Sequence, residues 1–227
     1  TVDTAFNWLG AGGSTISGAG AFNVNGGLAI TQAGDRTLSA RTLTLNSNST
    51  WDTLGTIHLN SGGTISNAAT KVFDVQGNGT LTADNAGVGG TINNAGTFRK
   101  SAGAGTTSIT SDCCRSLTFN NTGLVDVDTG TLSFIANPGT STHTGTFDIA
   151  SGAVLSFSTA QTFNGATFQG GGAVNLVGGG HTLAGTVSFV GTPLTLSNAS
   201  VGGAGNLALD AASVLNLSTG GTINNSG

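Results

Sequence analysis

Apolar and polar residues alternate along this chain in short bursts, and the bursts return in one layout. Phe73-Asp-Val leads through a polar corner to Leu81, and Val125-Asp-Val leads to Leu132. Phe147-Asp-Ile leads to Leu155, and Leu207-Ala-Leu leads to Leu215. A period of two sends the first and third residues of a burst to one side and the middle residue to the other, as in a half-buried strand. Gly and Asn fill the corners, where bends need backbone conformations that these residues tolerate. Each unit therefore reads as two or three short strands joined by tight corners.

A second phrase sets the period. Thr-Ile/Phe-x-Asn occurs at Thr64, Thr91, Thr118 and Thr222, with looser copies at Thr15 and Thr162. The intervals are whole multiples of a unit of about 23 residues, which is the mark of a solenoid whose turns bury their apolar sides only by stacking. The expected fold is all-β: a single-stranded parallel β-helix (β-solenoid), right-handed, with about ten coils of 20–27 residues. With parallel strands about 4.8 Å apart, the rod is on the order of 45–50 Å long. Residues 1–227 read as one continuous solenoid, with 1–14 a cap or lead-in strand and 101–115 a Gly/Ser/Thr-rich loop excursion. GTINNSG at Gly221–Gly227 nearly repeats GTINNAG at Gly90–Gly96 but stops in mid-repeat, and the chain opens on Thr1 with no Met. The expectation is a piece of a longer repetitive protein, or a subunit completed by another copy.

Composition narrows the classes. Only 37% of residues are apolar and 7% charged; all ten acidic residues are Asp, and Glu, Met and Tyr are absent. Good helix formers are scarce, while Thr, Val, Ile and Phe suit a pleated surface. The regular alternation argues against a disordered low-complexity chain. A net charge of −4 with six scattered cations argues against nucleic acid as a partner. No apolar run approaches the ~20 residues of a membrane span, and the opening residues do not read as a signal peptide.

Stacking places like above like. Asn67, Asn94 and Asn121 are expected to form an amide ladder, and Asp74, Arg99, Asp126 and Asp148 an outward charge column. Asp126 and Asp128, two apart on a strand, share a face and form a candidate Ca²⁺ site. With a basic partner such as Arg99 or Lys100, they are also candidates for polysaccharide cleavage. A solvated outer face is the plainer reading. Adjacent Cys113 and Cys114 lack metal-ligand spacing and are candidates for a vicinal or intermolecular disulfide. Gly170–Gly172 and Gly178–Gly180 lack the Asp of calcium-binding nonapeptides and the Lys of a phosphate loop, so they read as corners. His58, His143 and His181 share no repeat position. Trp8 and Trp51 read as core or cap residues, or as platforms for sugar rings. Thr-x-Thr pairs at Thr42/Thr44 and Thr80/Thr82 do not recur at coil spacing, which weakens an ice-binding reading. No catalytic residue and no cofactor site is read.

The layout of GTINNAGTF at Gly90–Phe98, LTFNNTGLVDVDTGTLSF at Leu117–Phe134 and GTFDIASGAVLSF at Gly145–Phe157 resembles the repeat regions of bacterial autotransporter passengers and filamentous-haemagglutinin-type adhesins. The resemblance implies a secreted or cell-surface location and a non-enzymatic stalk, adhesin scaffold or fibre subunit. The partners it implies are a host or surface glycan or protein, or further copies joined end to end. A polysaccharide-binding or polysaccharide-cleaving β-helix is the alternative.

Overall fold

The computed structural model describes residues 1–10, 13–52, 54–83, 88–112, 114–135 and 141–225. Among them there is no helix. Short strands wind into three ten-stranded sheets, all parallel, making a β-solenoid of about 9 turns. The first sheet runs from Phe6–Asn7 to Asn206–Leu209, the second from Ser14–Ser17 to Leu215–Leu217, and the third from Ala21–Val24 to Thr222–Asn225. Each strand pairs with the strands one coil before and after it. In the first sheet the paired residues lie 20 apart at Val187 and Leu207 and 27 apart at Phe98 and Val125. Corners absorb this variation while the strands keep their alternation.

The interior is built from registered columns. Phe147, Phe168 and Phe189 stack with centroids 4.8 and 4.5 Å apart and planes within 8°. Phe73 and Phe98 meet edge to face at 5.7 Å. Trp8 and Trp51 are both buried, as are Phe119, Phe157 and Phe163. Each coil contributes few large side chains, so the stability of a turn depends on the turns that cover it. Corner glycines let the coils approach. A Cβ on Gly123 would lie 2.1 Å from the Gly96 carbonyl oxygen, and one on Gly145 2.1 Å from that of Gly123. These two carbonyls accept the next coil's amides, from Leu124 at 2.8 Å and Thr146 at 2.9 Å.

The structure refines three local expectations. The segment 101–115 is not a loop throughout, because Thr106–Ser111 is a strand of the second sheet. Its Thr107 and Ile109 alternate inward and are buried, a pattern masked by polar composition. The lead-in 1–14 already takes part in the coil, with Phe6–Asn7 pairing to Leu28–Ala29 and Val2 bridging to Val24. The repeat phrase is also not always in the same place. Its Thr15 copy lies in the second sheet and the others in the third. Phe163 stands in the column of Asn121 and His143, a slip of two residues that preserves the inward face.

Candidate functional site

The three outer faces differ in chemistry, and the first sheet carries the charge. Alternation turns Asp74, Arg99, Asp126 and Asp148 outward, and the pairings Asp74–Arg99, Arg99–Asp126 and Asp126–Asp148 place them in one column. Arg99 Nη2 lies 2.6 Å from Asp128 Oδ2, its Nε donates to the same oxygen at 2.7 Å, and Nε is 3.5 Å from Asp126 Oδ2. Gln169 Nε2 donates to Asp148 at 2.7 Å, and Gln76 Nε2 donates to Asp74 at 2.8 Å. The hydrogen bond to Asp128 holds the Arg99 guanidinium more firmly protonated than usual. Partial burial, and then the neighbouring Asp128, push the Asp126 carboxyl above its ordinary value, and Arg99 only partly offsets this. Exposed pairs of this kind add little to stability.

Arg99 is thus the cation that Asp126 and Asp128 face. Among the described residues no group of three or more His, Cys, Asp or Glu is arranged to hold a metal ion. Lys100, expected beside the carboxylates, is instead fully buried. It follows Phe98 by two residues and so shares its inward face. Trp8 and Trp51 are also interior, which leaves the carboxylates without an indole platform.

Inside the third sheet, Asn67 Nδ2 donates to Asn94 Oδ1 at 2.9 Å, and Asn94 Nδ2 donates to Asn121 Oδ1 at 2.8 Å. The same amides cap corner carbonyls: Lys71 and Thr97 from Asn67, Leu124 from Asn94 and Thr146 from Asn121. All three residues are buried. Val24 and Leu45 precede the ladder in this column and His143 follows Asn121, and Asn67 Oδ1 at the head of the ladder is buried without a partner.

The outer face of the third sheet corrects the reading of its threonines. Thr42, Thr64, Thr91 and Thr118 stand in one column. A second column runs Thr44, Ser66, Asn93 and Asn120, and then Thr142, Thr162 and Thr182. Asn120 accordingly donates its amide to Asn93 at 3.0 Å and accepts the Thr142 backbone N–H at 3.1 Å. Ser and Asn substitute for Thr in the repeat, so a search for Thr-x-Thr alone misses the columns. No charged side chain occurs at these outward positions.

Two buried cations escaped the sequence reading. Arg36 donates through Nε to Trp8 O at 3.0 Å, through Nη2 to Gln32 O at 2.6 Å, and through Nη1 to Gly34 O. Lys100 Nζ donates to Ala102 O at 3.1 Å and to Gly77 O and Asn78 Oδ1 at 3.2 Å. Burial lowers the pKa of both, and Asp35 partly restores that of Arg36. The available signal was spacing, since each lies two residues from an inward Leu38 or Phe98.

Cys114 is exposed and its backbone N–H donates to Asp112; Cys113 lies outside the described residues, and with it the disulfide expectation. His58 lies outward, 3.7 Å from Asp35, while His143 and His181 are interior. Near the last coils, Leu183, Val201, Leu207, Leu209, Leu215 and Ile223 line an open pocket of about 330 Å³. Among the described residues no helix is long and apolar enough to cross a membrane. No protein-family model and no curated protein sequence matches this chain.

Proposed function

We propose that this chain is a non-enzymatic structural segment of a secreted or cell-surface bacterial repeat protein, serving as an adhesin stalk, scaffold or fibre-forming unit. The observation that carries the reading is the continuous vertical hydrogen bonding of three parallel ten-stranded sheets, with the buried Asn67–Asn94–Asn121 ladder inside. Such a body is a spacer that transmits tension along its axis. The sequence resemblance to adhesin repeats supports the same reading. Further coils, from the same protein or another copy, would cover the apolar pocket near Leu215 and Ile223, because parallel strand edges template further pairing. The test is antibody labelling of intact cells that express the whole protein, alongside turnover assays on acidic and neutral polysaccharides. Surface labelling without turnover is expected. Purely intracellular protein, or turnover abolished by Asp126→Asn, would overturn the proposal.

A second reading, binding of an uncharged extracellular glycan, is favoured by the Thr/Ser/Asn columns of the third sheet. Hydroxyls and amides repeated at coil spacing suit a repeating polymer without charge. Thr91→Arg with Thr118→Arg is expected to abolish retention on such a glycan, while Asp126→Asn leaves it unchanged. The opposite pattern would move the binding face to the first sheet.

A further inference from the structure

The corner between Val72–Val75 and Thr80–Ala83 carries an arrangement that neither the scaffold nor a glycan face requires. Asn78 and Gly79 lie in this corner, outside both strands. The oxygen of the Asn78 carboxamide accepts from the Lys100 ammonium at 3.2 Å. The other partners of that ammonium, Gly77 O and Ala102 O, are also uncharged oxygens. A buried cation held only by neutral groups lacks the counter-charge that would compensate its lost hydration. Gly79 is fixed by packing, since a Cβ there would lie 2.2 Å from the Trp51 ring and 2.9 Å from Gly55 O. The fold therefore holds an Asn-Gly bond where a cation polarises the Asn carbonyl.

We propose that Asn78–Gly79 is a self-processing site, at which Lys100 promotes deamidation of Asn78 and the product carboxylate becomes its ion-pair partner. The Gly79 backbone nitrogen attacks Asn78 Cγ, and a new N–C bond closes a five-membered succinimide. The Gly79 amide proton passes through solvent to the departing nitrogen, the Cγ–Nδ2 bond breaks, and ammonia leaves. Negative charge develops on Oδ1 during the attack, where the Lys100 ammonium already donates. A donor aimed at a developing oxyanion lowers the barrier more than it stabilises the starting amide. Water then opens the imide, leaving Asp or its β-linked isomer at position 78. One ammonia is lost and one water is taken up.

Two further copies of the dipeptide serve for comparison, with their glycine amides already engaged, Gly26 N–H donating to Val2 O at 3.3 Å and Gly165 N–H to Ala184 O at 2.8 Å. Asn25–Gly26 and Asn164–Gly165 are the same dipeptide. Asn25 Oδ1 accepts from a neutral amide, that of Asn46 at 2.9 Å, and Asn164 is an exposed residue of the strand Thr162–Asn164. If exposure governed the chemistry, Asn164 would react first. Because the bonds at Gly26 and Gly165 also slow attack there, the ammonium's part is read at position 78 with and without Lys100.

The experiment incubates the purified 227-residue chain at mildly alkaline pH and follows all three dipeptides by peptide-mapping mass spectrometry. The expected result is a gain of about 1 Da at position 78, about tenfold faster than at 25 or 164. Lys100→Met should slow the reaction at position 78 about tenfold, with circular dichroism showing that the coil persists. Because that variant removes a buried group, Asn78→Asp supplies an independent reading. It should raise the unfolding midpoint in the parent chain but not in the Lys100→Met background. Faster reaction at Asn164, an unchanged rate at 78 in Lys100→Met, or no gain in midpoint for Asn78→Asp would each overturn the proposal.

Discussion

Mild acid should loosen this solenoid around His143 and His181 before it affects the rest. His143 Nε2 donates to Gln161 Oε1 at 3.0 Å, and that glutamine is itself oriented by bonds from its Nε2 to Thr159 O and Oγ1. The ring proton is thereby placed on Nε2, and Nδ1 is buried without a partner. His181 repeats the arrangement, with Nε2 bonded to Gly178 O at 3.1 Å and a buried, unpartnered Nδ1. A second proton would have to enter among Phe134, Phe147, Phe157 and Phe163. Desolvation lowers each imidazole from 6.5 to about 4. Between those values the unfolded chain binds the extra protons, so stability is complete above pH 6.5 and falls as pH drops toward 4. The gap corresponds to about 3 kcal/mol per histidine in full, and about 2 kcal/mol each at pH 5. Asp126 acts in the opposite sense, because its raised pKa makes protonation favour the folded state. The assay is denaturant unfolding across pH 7.5 to 4, comparing the parent chain with His143→Phe/His181→Phe. The parent midpoint should fall steeply below pH 6 while the double variant stays nearly level. Histidine C–H resonances titrating near 6.5, or equal pH slopes for the two proteins, would refute the reasoning.

Other outcomes follow from the columns. Asn94→Leu should destabilise the chain by about 2–4 kcal/mol in denaturant melts, because it takes the donor from buried Asn121 Oδ1 and removes the bond to the Leu124 carbonyl. Gly123→Ala should lower thermal stability markedly, since its methyl meets the Gly96 carbonyl at 2.1 Å; Thr122→Ala, at an exposed neighbour, serves as the comparison. Arg99→Ala should change the unfolding free energy by at most about 1 kcal/mol, and less in high salt, because its pairs with Asp126 and Asp128 are half exposed. Asp126→Asn should raise the melting temperature at neutral pH, most clearly at low ionic strength, by removing a carboxylate held above its ordinary pKa.

The coil was legible where two signals coincided. Asn67, Asn94 and Asn121 sit inside a phrase that returns at constant spacing, and Phe73, Val125 and Phe147 lead bursts of identical layout. Both fix register as well as strand. Legibility failed where one face varied or one residue type was sought alone. Thr64-Ile-Ser, Thr91-Ile-Asn and Thr118-Phe-Asn conceal a Thr column from a search for Thr-x-Thr. Lys100 was set beside the carboxylates and Arg36 passed over because charge was weighed before alternation, although both follow the period of two. The slip at Phe163 was invisible because a two-residue shift leaves the hydrophobic pattern intact. The mean interval suggested about ten coils, and each of the three sheets holds ten strands.

The amides of Asn67 and Asn94 both point toward the following coil, and the residues they join are separated by the same 27 positions. A tandem duplication of one such unit would therefore splice into the rod without a seam. The inserted asparagine would receive a bond from its predecessor and pass one to its successor, and no group would lose its partner. Genetic recombination within this stretch has a ready way to lengthen the protein one layer at a time.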